Sequence, residues 1–543
     1  MGNARSFGEA STTIRGNDSM RTSLILGFTI AVFVGCNNRA DVQCETTSDC
    51  NLSGGGMCVP ASTGNMWCAY PDPECPGGYR WSTQNVGDGF SGECVPDGSV
   101  HDAGIDTHEP DANLPVADWA TRFGGPSDDT GVSIASASNG DIVAVGSFTG
   151  TMNVGGPALS SAGQTDVWVG RYHADGSYVW SVKLGGIGAD SALGTTIDAA
   201  GDVYVVGHFV GPVDFGGGSR ANANGGFLVK LNGTSGAWVW DSVFGASVAD
   251  LTGGVAVVDG TTVAIGGRFT GTVDFGGGNV TATPSAGFDS FVAAYATSSG
   301  AHVWSKALVT TGNDGDFGGV TATGGDVIVT AGFFGTATIG GSPLVSASNS
   351  EDVLLARYHG ADGSYVWSVR EGGAMNEYPK AIATDGTHVY VGGQFLGTTN
   401  LGGADIPTNG SYDGFVASYN VSNASLAWAQ KFGGANNDAV TSLAVLGTKL
   451  IAVISFSSPT ITIGTQMLTS AGGIDIGISR LNAATGDASL TAPFGSTGDD
   501  TMAVSFAGSK LAGVGTFSAN TNLFSTALTS EGGKDIAAFR VDF

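Results

Sequence analysis

The chain has 543 residues, too many for one ordinary core, so it must form several domains or one large repeat array. Ninety glycines, sixteen prolines and 42% hydrophobic residues exclude a disordered chain and, without a collagen triplet, indicate many turns and close backbone approaches. A net charge of −27 repels phosphate backbones, which excludes nucleic acid as a partner and disfavours anionic membrane surfaces unless divalent cations bridge.

Residues 1–35 read as an export signal. Leu24 to Val34 form an apolar run about half as long as the ~20 residues that cross a bilayer, and Arg21 precedes it. Met20 stands where a compact signal would begin, which makes residues 1–19 an over-long start. The run ends in Phe33-Val34-Gly35-Cys36. This tetrapeptide resembles the bacterial lipobox, with Phe33 where that family usually has Leu; a cleaved signal with a chance cysteine is the competing reading. The resemblance implies that Cys36 receives a diacylglyceryl group and becomes the mature N-terminus. Asn37, in place of the Asp that retains some lipoproteins in the inner membrane, implies the outer membrane or cell surface.

Residues 36–98 form a cysteine-rich module. Beyond Cys36 it holds Cys44, Cys50, Cys58, Cys68, Cys75 and Cys94, and no cysteine follows. An even number in an exported segment implies three disulfides, in any of about 15 pairings. No C-x-x-C occurs, which argues against zinc. Few large apolar residues lie between the cysteines, so bridges must supply the stability. Residues 99–117 are acidic, contain proline and are almost without large apolar groups, which makes them an extended linker.

From residue 118 to 543 one unit recurs. Asp166 to Gly186 (DVWVGRYHADGSYVWSVKLGG) has a near copy in Asp352 to Gly373 (DVLLARYHGADGSYVWSVREGG). Trp119, Trp180, Trp240, Trp304, Trp367 and Trp428 mark six units at spacings of 60 to 64 residues, and Leu490 marks a seventh. Phe148, Phe209, Phe269, Phe334, Phe395, Phe456 and Phe517 form a second series. Strands opening at Asp166, Gly225, Asp289, Asp352, Asp413, Asp475 and Asp535 form a third. Each unit reads as four strands with tight Asp-Gly turns, and apolar or small residues on both strand faces imply sheets covered on both sides. Seven such units predict an all-β fold, a seven-bladed β-propeller of four-stranded blades. The first unit starts at its Trp strand and the last ends on an Asp-opened strand. The C-terminal strand should therefore complete the first blade and close the ring, which a linear solenoid would not require.

These motifs resemble the bacterial β-propeller repeats called SBBP, over residues 118–543. LNGTSGAWVW also resembles quinoprotein-type propellers. The resemblances imply the fold and no shared activity.

Candidate chemistry is sparse. The repeated aromatics read as inter-blade core rather than stacking platforms. The Asp residues that open strands read as acceptors of backbone hydrogen bonds. A further acidic series follows the Gly-Gly turns: Asp128, Asp190, Asp250, Asp314, Glu377, Asp438 and Asp499. It could attract Ca²⁺, with Asp314 and Asp316 the best local site, though no copy carries a full D-x-D-x-D-G series. No other cofactor is expected. Glu371 stands where other units have Phe or Leu; with Glu377 it could form a carboxylate pair of glycosidase type. The competing reading is a wet slot in which Arg370 or a neighbour pairs with Glu371. His173 and His359 occupy equivalent positions and so should lie far apart. The balance favours a monomeric, non-enzymatic surface module that binds a protein or glycan and meets the membrane only through its lipid. A polysaccharide hydrolase or lyase, and an envelope-assembly scaffold, are the alternatives.

Overall fold

Val203–Val210 (VYVVGHFV) carries apolar side chains on both sides, and nearly all of them are buried. A strand apolar on two faces needs a cover on each, and here neighbouring sheets supply both. The sheets are the blades of a seven-bladed propeller in a computed structural model. It describes residues 57–60, 66–71, 79–81 and 94, and from 115 to 543 all but 222–223, 246–247, 284–286, 313 and 349.

Each blade has four antiparallel strands, A innermost to D outermost. In blade 1 these are Asp129–Ser136, Ile142–Met152, Leu159–Tyr172 and Tyr178–Gly186. Blades 2 to 6 occupy 191–244, 248–308, 317–371, 377–432 and 438–494. Blade 7 takes strands A to C from 501–541 and its D strand, Ala117–Phe123, from the other end of the propeller sequence. Ala117 pairs with Val541 and Phe123 with Ile536, so the expected closure by the C-terminal strand is present. A blade is offset from the sequence repeat by two strands: the Asp-opened strand is C and the Trp strand is D. Between strands B and C of blades 2 to 7 the chain adds a two-stranded hairpin that the sequence reading lacked, such as Thr272–Asp274 with Asn279–Thr281. In blade 1 the ends of strands B and C continue into this hairpin.

An apolar cluster fills every seam between blades. Between blades 2 and 3, Tyr204, Leu228 and Trp240 pack with Val263, Phe269 and Phe291. The Phe series belongs to these cores with one correction. In blade 4 the buried residue opposite Asp352 is Phe333, not its neighbour Phe334.

The six tryptophans of the repeat series, all on D strands, add a directional bond. Each indole N–H donates to a carbonyl in the C–D turn of the next blade: Trp119 to Ala174 (3.1 Å), Trp180 to Gly233 (2.7 Å), Trp240 to Thr297 (3.0 Å). Trp304 reaches Gly360 (2.7 Å), Trp367 reaches Val421 (2.9 Å) and Trp428 reaches Ala483 (3.0 Å). The turn presses against the ring, so Gly236, at φ 70°, has no room for a Cβ beside Trp180. At the seam between blades 6 and 7 Leu490 holds the tryptophan position, and Phe543, two residues beyond the C strand Asp535–Val541, holds the position of the accepting carbonyl. Phe543 is buried there with Leu490 and Phe524 against it, and its carbonyl accepts from Lys449 Nζ at 2.7 Å.

The N-terminal unit is described by a three-stranded antiparallel sheet, Met57–Pro60, Met66–Pro71 and Tyr79–Trp81, in which Cys58 pairs in register with Cys68. Cys68 and Cys94 each take part in a disulfide. The signal segment, Cys36, Cys44, Cys50 and Cys75 lie outside the described residues.

Removing residues 535–543 deletes the central partner of two strands and opens the ring. Thermal unfolding followed by circular dichroism should show the cooperative transition lost or lowered by at least ~10 °C, since the edges of B and D are both exposed. An unchanged transition would show that closure contributes nothing.

Candidate functional site: the channel and its mouth

Each D strand ends in a short loop that leads to an acidic residue at the head of the next A strand. The residues at this position are Asp129, Asp190, Asp314, Glu377, Asp438 and Asp500. Their main-chain N–H groups donate to the residue preceding the C strand of the previous blade, for instance Asp190 to Thr165 (2.7 Å) and Glu377 to Glu351 (2.8 Å). Asp129 and Asp500 therefore replace Asp128 and Asp499 in the acidic series. The two displaced residues instead accept the N–H groups of Lys534 and Ile474. The side chain of Asp250 lies outside the described residues.

These carboxylates are turned inward. Asp129, Asp190, Glu377, Asp438 and Asp500 each accept the N–H four residues earlier, at 2.6 to 3.0 Å. Asp314 accepts from Ser290 N at 2.8 Å and from the Thr310 hydroxyl at 2.7 Å. The C-strand aspartates behave alike. Asp166, Asp413, Asp475 and Asp535 are buried and accept N–H groups at 2.6 to 2.7 Å. At three seams the two acids converge on one glycine, Gly124, Gly185 or Gly372. A Cβ on Gly124, at φ 140°, would overlap Asp535 Oδ1 and touch Asp129. Burial, reinforced by the neighbouring carboxylate, holds Asp129 at about 6, Asp314 and Asp500 at about 7, and Glu377 at about 8. These acids lock backbone at the seams and offer no exposed general acid or base.

The predicted candidates are dispersed. Glu371 ends the D strand of blade 4, is buried beside Gly402 and Tyr419, and is pushed up to about 7 by burial. Arg370 turns away from it, to Asp352 and the Gly372 carbonyl. Glu377 faces Gly372, Gly373 and Asp352. The two carboxyls thus sit in different surroundings. Asp314 is engaged by Ser290 and Thr310, whereas Asp316 pairs with Lys380 Nζ at 3.3 Å and Arg268 at 3.8 Å. Among the described residues, no three His, Cys, Asp or Glu are placed to hold a metal ion. His173 and His359 pair with Asp141 and Asp326 of their own blades, 1 and 4.

What the ring does create is a central channel of about 730 Å³, lined by all seven A strands. Five of those strands carry a one-residue β-bulge whose extra residue lines the channel: Val132, Leu193, Gly318, Lys380 and Thr441. A bulge releases its residue from the ladder and re-aims it, a device found beside functional sites. These five equivalent positions carry five different residues.

The mouth is irregular as well. The residue before each C strand is Thr165, Asn224, Phe288, Glu351, Tyr412, Ile474 or Lys534. Across blades 3 to 5 such residues join one network. Arg268 lies over the Phe288 ring at 5.3 Å and donates to the Gly315 carbonyl at 3.0 Å. Glu351, buried between Gly315 and Gly332, accepts Asp316 N at 3.0 Å and is pushed up to about 8 by burial and then by Asp316. Asn376 accepts Glu351 N at 3.1 Å and donates to the Tyr378 hydroxyl at 2.8 Å, and Tyr378 packs on Tyr412 with ring centroids 5.6 Å apart. Sequence reasoning missed this sector. The signal was present in the departures of Glu351, Tyr378, Lys380 and Tyr412 from their repeat equivalents.

No family model matches the chain. Over 350 residues, 60% of the chain, it is 26% identical to Regulatory protein FlaEY of Caulobacter vibrioides, of which the match spans 30%. Among solved structures, BamB from Moraxella catarrhalis is similar at 15% identity and a TM-score of 0.37, over 78% of this chain and all of that one. Quinohemoprotein alcohol dehydrogenase from Comamonas testosteroni is similar at 11% identity and 0.37, over 78% of this chain and 76% of that one. The Neurospora crassa Pan2 WD40 domain is similar at 10% identity and 0.38, over 77% of this chain and 89% of that one. No function is taken from these likenesses.

The raised carboxyls make stability depend on pH. Each keeps its proton in the folded state to a higher pH than in the unfolded chain, so their contribution is full below about pH 4 and is lost as pH rises through about 6 to 8. Differential scanning calorimetry at constant ionic strength should give a higher Tm near pH 5 than near pH 8.5, and Glu377→Gln should flatten that slope. A Tm that rises between these values would refute the protonated seams.

Proposed function

We propose that this protein is an SBBP-type, lipid-anchored surface protein of the outer membrane or cell surface whose propeller binds a protein or glycan without transforming it. The observation that carries this reading is the contrast within one chain. The buried carboxylates, tryptophans and turns repeat from blade to blade, while the bulged residues facing the channel differ in all five blades that have them. Repetition serves the ring, and variation at equivalent channel positions serves recognition. Among the described residues, the seam acids Asp129, Asp190, Glu377, Asp438 and Asp500 are committed to backbone N–H groups, which disfavours them as the paired carboxylates of a polysaccharide hydrolase or lyase. An envelope-assembly scaffold is the same reading with a protein as occupant. In sequence, the cysteine-rich module lies between Cys36 and the propeller.

Two experiments test this. Cys36→Ser should move the protein from the membrane fraction to the medium, because the acyl chains supply the affinity for lipid; retention in the membrane would remove the anchor. Arrays of glycans and envelope proteins should give a ligand whose affinity falls at least tenfold in Thr441→Trp, which fills the channel. That ligand should be recovered with unchanged mass, and shortened chains would convert the reading to a hydrolase or lyase.

A further inference from the structure

The sector of the mouth spanning blades 3 to 5 differs from the rest of the ring in three ways at once. Its aromatic content is local: the position after the A-strand acid is Thr130, Ser191, Ala439 or Thr501 elsewhere but Tyr378 here, and Tyr412 packs on it. Both rings are partly exposed, unlike the buried C-strand tyrosines such as Tyr295 and Tyr358. Its charge is local: Arg268 and Lys380 converge on the single carboxylate of Asp316, which is 44% exposed, and Lys380 also lines the channel. Its support is built. Glu351, 2% exposed, fixes Asp316 through its main chain, and Asn376 fixes both Glu351 and Tyr378. Burial pushes Glu351 up to about 8, and Arg268 and Lys380 both face the carboxylate of Asp316, a convergence of two cations in a molecule of net charge −27.

Resting on the binding reading above, we infer that this sector recognises a carboxylated saccharide, with Tyr378 and Tyr412 presenting aromatic surface to a sugar ring and Lys380 and Arg268 meeting its carboxylate beside the channel. Aromatic rings offer flat apolar area to the C–H face of a sugar, while a rigid cation pair selects the carboxylate. An acidic peptide carries the charge but no ring face, and a neutral sugar the face but no charge.

The test is calorimetric titration of the full secreted chain with three carboxylated oligosaccharides (oligogalacturonate, oligoalginate and hyaluronate fragments), the methyl ester of oligogalacturonate, and polyglutamate. At least one carboxylated sugar should bind, with affinity at least tenfold above that of polyglutamate and, for oligogalacturonate, of its ester. Tyr378→Ala and Lys380→Gln should each weaken that binding at least tenfold with Tm unchanged, and Tyr378→Phe should retain it. A panel in which no carboxylated sugar binds overturns the inference. So does binding indifferent to Tyr378→Ala and Lys380→Gln, or polyglutamate binding as well as the sugars. If these results occur while a protein ligand still loses affinity in Thr441→Trp, the saccharide inference falls and the binding reading stands.

Discussion

The pairing of Ala117–Phe123 with Asp535–Val541 is the constraint on which the rest of the propeller depends. Six seams are joined within a continuous chain. Blade 7 alone is assembled from strands more than 400 residues apart in sequence, at contacts such as Arg122 to Asp535. Once that blade exists, every A strand has a neighbour on both sides and every apolar face has a cover. The consequence is visible at the seam between blades 6 and 7. The latch carbonyl always sits eight residues after the start of the C-strand motif, and in blade 7 that residue is Phe543. Leu490 stands in place of tryptophan, and Phe543 fills the seam with its own side chain. At this seam the apolar contact of Phe543 stands where the other six have an indole bond.

That series, the count of seven and the closing strand were legible because each is a long-range regularity that survives local noise. The misplacements share a cause. Phe334 and Phe333, Asp128 and Asp129, and Asp499 and Asp500 are each a pair of identical neighbours. Sequence offers no ground for choosing within such a doublet, because strand alternation puts one member inside and the other outside only once register is known. The bulges were hidden for a related reason. Val132 and Lys380 look like ordinary members of alternating strands until their partners Val145 and Gly392 are seen to pair with the residues after them. The hairpins were hidden in glycine-rich connections such as DFGGG, whose apolar residue looked incidental. Phe275 in fact packs on Phe291, and the Tyr295 hydroxyl donates to its carbonyl.

The distribution of cations explains why one sector of a repeating ring can differ in chemistry. Only 21 Lys and Arg balance 48 Asp and Glu. Many of them do structural work of two kinds. Arg122, Lys183, Arg370 and Lys431 pair with the buried C-strand aspartates of their own blades. Arg171, Lys230 and Arg357 reach into the next blade and donate to the carbonyls that receive Trp180, Trp240 and Trp367. Arg268 and Lys380 follow neither pattern. They come from a B strand and an A strand of different blades, and they meet on an aspartate of a third.

Such a cluster has no role that the repeat requires, since the other seams close without one. Its members are positioned by groups that could have been smaller. Glu351 fills a niche that Gly315 and Gly332 leave open, and keeping a carboxyl there demands that it hold its proton. Other blades place Thr165, Asn224, Phe288, Tyr412, Ile474 or Lys534 at the same point. A buried carboxyl, two converging cations and a tyrosine pair in one sector therefore represent departures that the ring's stability does not explain. Their position at the mouth of a 730 Å³ channel places them where a ligand would meet the ring.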